Sequence, residues 1–174
     1  MSGRSAARAV AGLVLALAFM LATFPARAAV LDKHDASRLA DILETIQSFE
    51  DDVRSALHGL SPNDAEQIES YAYVELNLEA AHERLNNIFM LMAVSIYMES
   101  LSDQSLVLNV MYVQLLPPSK RYLNEKKDAI ASMAAVHPPD TVFATYSTRA
   151  NALLGDRAIP FLDELYRRIG ALRR

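Results

Sequence analysis

Apolar residues recur at spacings of three and four along most of this 174-residue sequence. Between residues 35 and 60, one such stripe consists of Leu39, Ile42, Ile46, Phe49, Val53, Leu57 and Leu60. An α-helix has about 3.6 residues per turn, so positions three or four apart lie on one face and can be buried together. The spacing therefore predicts amphipathic helices and argues against β-strands, in which apolar residues alternate.

Four helical stretches are predicted in succession, at residues 35–59, 63–100, 104–136 and 141–172. Gly59 is typical of a helix end, and Ser61 followed by Pro62 is typical of a helix start. Short connections between helices favour antiparallel neighbours. The second stretch would be on the order of 55 Å long, which suits an elongated bundle.

Prolines lie inside the third and fourth stretches. Pro117-Pro118 interrupts the third, and Pro160 lies in the fourth, close to Gly155. A proline removes a backbone donor and its ring crowds the preceding turn, so each site should kink or break its helix. The predicted fold class is all-α: an elongated up-down four-helix bundle with helices three and four kinked or broken at Pro117-Pro118 and Pro160.

The first 28 residues have the three-part pattern of a secretory signal peptide. Two arginines precede an apolar run at residues 9–24, and Ala-Arg-Ala at residues 26–28 fits the small-x-small cleavage rule. We expect cleavage between Ala28 and Ala29. The apolar run is 16 residues long, whereas a helix that spans a bilayer needs about 20, so a retained anchor is the weaker alternative.

Cleavage would leave residues 29–174 as a single helical bundle domain in the periplasm or medium of a bacterium. The sequence contains no cysteine, which excludes thiolate metal sites, c-type haem attachment and thiol catalysis. Residues 29–79 carry 12 acidic and 3 basic side chains, and residues 80–174 carry 9 and 11. We expect the acidic half to pack beside the basic half; the alternative is an anionic face for a cationic partner. A net-acidic chain argues against nucleic acid as the partner.

The run from Ile88 to Met98 contains no charged residue, and Ser95 is its one plainly polar side chain. Eleven residues are too few to span a bilayer, so the mature chain is not expected to be membrane-spanning. A helix that is apolar on all sides is typical of a buried element. We therefore expect the second helix to pass through the centre of the bundle at this point.

Four methionines, Met90, Met92, Met98 and Met111, could in principle supply thioether ligands for copper(I). Met90 and Met92 would point about 200° apart on a helix, so they cannot share a ligand face. Methionine also fills irregular gaps in apolar cores. Core packing is therefore the preferred interpretation.

The sequence EAAH at residues 79–82 has the Glu-x-x-His spacing of di-iron bundles, but those sites need two such motifs and two further glutamates. His82, Glu75 and Glu79 are thus weak candidates for a metal site, and no cofactor is predicted. The nearby HERLN lacks the second histidine of the zinc-protease motif, because Asn86 takes its place. A histidine of the bundle paired with a methionine could also hold a b-type haem, although no spacing fixes such a pair.

No glycine-rich phosphate loop and no G-x-S-x-G nucleophile motif occurs in the sequence. The chain is therefore predicted to be a non-catalytic binding or interaction module rather than an enzyme. Its partner would be a protein, a second copy in a homodimer included, or a small molecule. An exposed apolar patch would favour a protein, and a pocket beside Pro117-Pro118 would favour a small ligand. The alternative function is a periplasmic metal- or haem-binding four-helix bundle.

Overall fold

A computed structural model describes residues 31–98, 101–137 and 141–171. The predicted signal peptide and its cleavage site between Ala28 and Ala29 lie outside the described residues. Two uninterrupted helices come first: α1 is Lys33–His58 and α2 is Ala65–Tyr97. The start of α1 is fixed by reciprocal hydrogen bonds in which Asp32 and Asp35 each accept from the other's backbone N–H, a capping box.

Two further helical runs complete the described fold, and each contains a π-helical segment. The run α3 consists of Leu101–Val110, the π-helical Met111–Leu115 and Leu116–Ala134. The run α4 consists of Val142–Ala152, the π-helical Leu153–Ala158 and Ile159–Ala171. No strand occurs among the residues described.

Side-chain contacts show that each helix lies antiparallel to the next. Between α1 and α4, residue numbers fall on one helix as they rise on the other, in the pairs Asp35–Arg168, Arg38–Glu164 and Asp52–Arg149. The same order relates α1 to α2 (Glu50–His82, Arg54–Glu75) and α3 to α4 (Tyr112–Tyr166, Lys120–Asp163). It also relates α2 to α3, through Arg84–Ser119 and through Ser70, which is bonded to His137 just after the end of α3. The four helices therefore form a closed up-down bundle, and the predicted all-α four-helix fold is confirmed.

At both proline sites the chain remains helical, and a π-helical segment precedes the proline. The backbone N–H of Leu116 donates to the carbonyl of Met111, and that of Ile159 donates to the carbonyl of Leu154, five residues back in each case. A proline ring crowds the carbonyl four residues before it. Those carbonyls belong to Val113, Gln114 and Asp156, which all lie within the two π-helical segments. The wider π-helical turns therefore lie where, in an ordinary α-helix, these carbonyls would crowd the proline rings.

The core runs along the centre of the bundle and takes large side chains from all four helices. Those most completely buried include Phe49, Leu85, Ile88, Met92, Met111, Leu123 and Leu154. Within the described helices, no segment combines the length and the apolar character that crossing a bilayer requires.

Two glycines of α4 should respond in opposite ways to alanine. A Cβ atom at Gly155 would lie 3.4 Å from the flexible Cδ of Lys127, whereas one at Gly170 would lie 2.9 Å from the ring of Tyr112. That ring stacks on Tyr166 with a centroid separation of 4.4 Å. Because alanine is the better helix former, Gly155→Ala should raise the free energy of unfolding by about 0.5–1 kcal/mol, while Gly170→Ala should lower it by about 1 kcal/mol through the displaced ring. Urea unfolding measures both, and a gain at Gly170 would contradict the stacked arrangement.

Candidate functional site

A carboxylic acid is buried where α1 packs against α2. Glu50 is 2% exposed, and its Oε1 atom has no hydrogen-bond partner among the residues that the structure describes. The Nδ1 atom of His82 lies 3.6 Å from this oxygen, which is too far for a good hydrogen bond. Glu50 lies seven residues from Leu43 and from Leu57, so it occupies a core-facing position on α1.

Burial raises the pKa of Glu50 to about 7, and the negative charge of Glu79 adds to this effect. Arg54 opposes the increase, but its Nε atom donates to Glu75 at 2.6 Å. Burial also lowers the pKa of His82. Both shifts favour the uncharged forms, a protonated acid beside a neutral imidazole, because neither charge is well solvated at this contact.

The three residues that the sequence suggested for a metal are not brought together as ligands. Glu75 is engaged by Arg54, Glu79 is exposed, and His82 faces Glu50 across the helix contact. Within the described residues, no group of three or more histidine, aspartate or glutamate side chains is arranged to hold a metal ion. The EAAH spacing suggested Glu79 of α2 as the acid beside His82, whereas the acid in contact with His82 is Glu50 of α1. The spacing of seven from Leu43 and Leu57 was the signal that could have revealed Glu50.

The run from Ile88 to Met98 was expected to pass through the centre of the bundle, and the exposure of Met90, Val94 and Tyr97 shows that it does not. Ile88, Met92 and Ser95 are buried, but Met90 is 56% exposed. The core interpretation holds for Met92 and Met111 and fails for Met90. In a ring of four helices, α2 packs against its neighbours on one side only, and its other side faces solvent.

The exposed side of α2 forms one continuous face. Val94 and Tyr97 are 47% and 79% exposed, and they follow Met90 at spacings of four and three, which places all three on the same side. Two exposed acids and one further exposed leucine precede them on that side. We call this set the outer α2 face: Leu76, Glu79, Glu83, Met90, Val94 and Tyr97.

A groove of about 400 Å³ lies between α1 and α4 beside Pro160, and the Pro117-Pro118 site suggested by the sequence does not line it. Two of its charged side chains, Arg38 and Glu164, are paired with each other. Both Nη atoms of Arg38 donate hydrogen bonds to the carboxylate oxygens of Glu164, at 3.0 and 2.9 Å. The guanidinium carbon of Arg38 lies 5.2 Å from the centroid of the Phe161 ring. A ligand at this end of the groove would have to displace these contacts.

The charge imbalance between the two halves of the chain is partly neutralised between α1 and α4. Asp35 and Asp52 of the acidic half pair with Arg168 and Arg149 of α4. This arrangement agrees with the expectation that the acidic half packs beside the basic half. Because α2 takes no part in these ion pairs, its exposed surface stays more acidic than that of α1 and α4.

Searches of protein-family models, curated proteins and solved structures find no match to this chain. Functional inference therefore rests on the contacts and exposure of its own side chains.

Proposed function

We propose that this chain is an exported, non-catalytic four-helix bundle that binds a protein partner through the outer α2 face. The observation that supports this most is the exposure of Met90, Val94 and Tyr97 together on one side of one helix. Single exposed apolar residues are common on protein surfaces, but adjacent ones on a regular helix face are typical of interaction sites. Tyrosine and methionine are also enriched at protein interfaces.

A helix face is a suitable docking element because its side chains are held in fixed positions. On the reverse side of α2, Ile88, Met92 and Ser95 are buried in the bundle, so the exposed residues need little further ordering to bind. A large aromatic side chain such as Tyr97 would act as the anchor, as is common where a few residues supply most of the binding energy. The signal-peptide pattern supports a site of action outside the cytoplasm.

Site-specific photocrosslinking tests this proposal. Benzoylphenylalanine would be introduced at Val94 and, as a matched control, at Val142, which is 66% exposed and lies at the opposite end of the bundle. In the native host, we expect the chain to begin at Ala29 and to crosslink to one protein from position 94 but not from position 142. The double substitution V94S/Y97S should weaken binding of that purified protein at least tenfold, roughly what the loss of two anchors gives, with little effect from V142S. Equal crosslinking from both positions, or none from either, would refute the proposed interface.

A further inference from the structure

The outer α2 face is acidic as well as apolar. Among the described residues, α2 carries five acids, Glu66, Glu69, Glu75, Glu79 and Glu83, but one arginine. That residue, Arg84, is only half-exposed, and its Nε donates to the Ser119 hydroxyl of α3 at 2.8 Å. The exterior of α2 therefore combines negative charge with apolar side chains and presents no fully exposed cation.

The charged and apolar parts of this face have a fixed separation. Glu83 precedes Met90 by seven residues, two helical turns or about 10 Å, and Glu79 lies one further turn away. Both glutamates are exposed, and neither needs to leave an ion pair within the described bundle in order to meet a partner. A partner that matches this face needs positively charged side chains about two helical turns from its apolar side chains.

We infer that the outer α2 face binds a positively charged amphipathic helix, with apolar side chains over Met90, Val94 and Tyr97 and lysine or arginine over Glu79 and Glu83. This inference rests on the proposed function and adds the chemistry of the partner. Packing of an amphipathic helix against an apolar helical surface is a common mode of peptide recognition. The charges would fix the direction of the bound helix and favour basic partners.

A second copy of this chain fits the face less well. A parallel arrangement would place Glu79 and Glu83 opposite the same residues of the other copy, where like charges repel. An antiparallel arrangement that pairs the apolar residues would centre on Val94 and overlap over residues 90–97 alone. That overlap is about 10 Å of helix, too short to reach the roughly 1,000 Å² expected of a specific interface.

The test measures binding of a fluorescein-labelled, 18-residue leucine–lysine amphipathic helix to the mature chain by fluorescence anisotropy. A leucine–glutamate peptide of the same pattern serves as the opposite-charge probe. The variant E79K/E83K reverses two charges on the face, and E66K/E69K makes the same change in net charge near the start of α2. Since all four glutamates are exposed, unchanged circular dichroism spectra are expected for both variants.

We expect the lysine peptide to bind and the glutamate peptide not to bind. The dissociation constant of the lysine peptide should rise roughly tenfold in E79K/E83K, change less than about threefold in E66K/E69K, and rise with salt. Equal effects of the two charge variants, or equal binding of the two peptides, would overturn the inference. So would sedimentation showing a dimer of the wild-type chain that V94S/Y97S abolishes.

Failure of this inference can be distinguished from failure of the proposed function. If V94S/Y97S weakens binding of the crosslinked protein while E79K/E83K does not, the interface stands and its charge selectivity is refuted. If neither variant changes binding of that protein, the outer α2 face is not its docking site, and both the inference and the proposed function fail.

Discussion

Replacement of Glu50 by glutamine should stabilise the bundle at pH 8 by about 3 kcal/mol. The pKa of Glu50 is raised from 4.5 to about 7 in the folded chain, and each unit of such a shift corresponds to about 1.4 kcal/mol. The folded state therefore retains a proton, between pH 4.5 and 7, that the unfolded state releases. Stability is highest below this window and falls as the pH rises through it, because ionised Glu50 remains buried beside Glu75 and Glu79. Glutamine removes that charge and keeps a similar shape.

Urea unfolding between pH 5 and pH 8 measures this effect, with E44Q as the exposed control on the same helix. We expect the wild type and E44Q to lose stability as the pH rises, while E50Q does not. His82 has the opposite effect on the pH dependence of stability. Its pKa is lowered in the folded state, so the unfolded state takes up a proton first and stability falls as the pH drops below 6.5. Parallel pH profiles for E50Q and the wild type would show that Glu50 is not the responsible group.

Substitution of Arg168 by methionine should destabilise the bundle by about 2–3 kcal/mol. Asp35 is buried, and Arg168 donates to its two carboxylate oxygens at 2.6 and 2.9 Å. Without the guanidinium, the carboxylate would keep the backbone N–H of Asp32 as a donor but would lie buried without a directly bonded counter-charge. Loss of one partner from a buried pair costs about 3–5 kcal/mol, and the partial exposure of Arg168 reduces this value.

The neighbouring Arg167→Met is the matched control, since Arg167 is exposed and its side chain donates to the backbone carbonyl of Asp163. We expect this change to lie within about 0.5 kcal/mol of the wild type. Thermal and urea unfolding of both variants would measure the difference. Similar losses for R167M and R168M would mean that removal of positive charge near the end of α4, rather than the Asp35 contact, is what matters.

The helices could be predicted from the sequence because burial of one face imposes a repeat of three and four. Leu39, Ile46 and Val53 lie where that repeat places them, fully buried on α1. The π-helical segments were not predicted, because they depend on hydrogen bonds to the fifth preceding residue. The first segment leaves a spacing of five between consecutive buried residues, Met111 and Leu116.

The outer α2 face could not be predicted, because composition does not reveal how many neighbours a helix has. Residues 88–98 are apolar on every side, and such a run is typical of a central helix. In a ring of four helices no member is central, so part of this run is exposed. Glu50 was not singled out from the sequence, although its spacing of seven from Leu43 and from Leu57 places it on the core-facing side of α1.

The two π-helical segments set the rotational phase of everything that follows them. Each holds one residue more than an α-helix of the same number of turns, so the downstream residues keep the phase that an α-helix one residue shorter would give them. Return of Leu153–Ala158 to α-helical winding, with all its residues kept, would turn the downstream residues by about 100° and swing Arg168 away from Asp35. The same change in Met111–Leu115 would turn Ser119 away from Arg84. Deletion of one residue inside either segment, by contrast, should convert it to an α-helix and leave the contacts downstream in place.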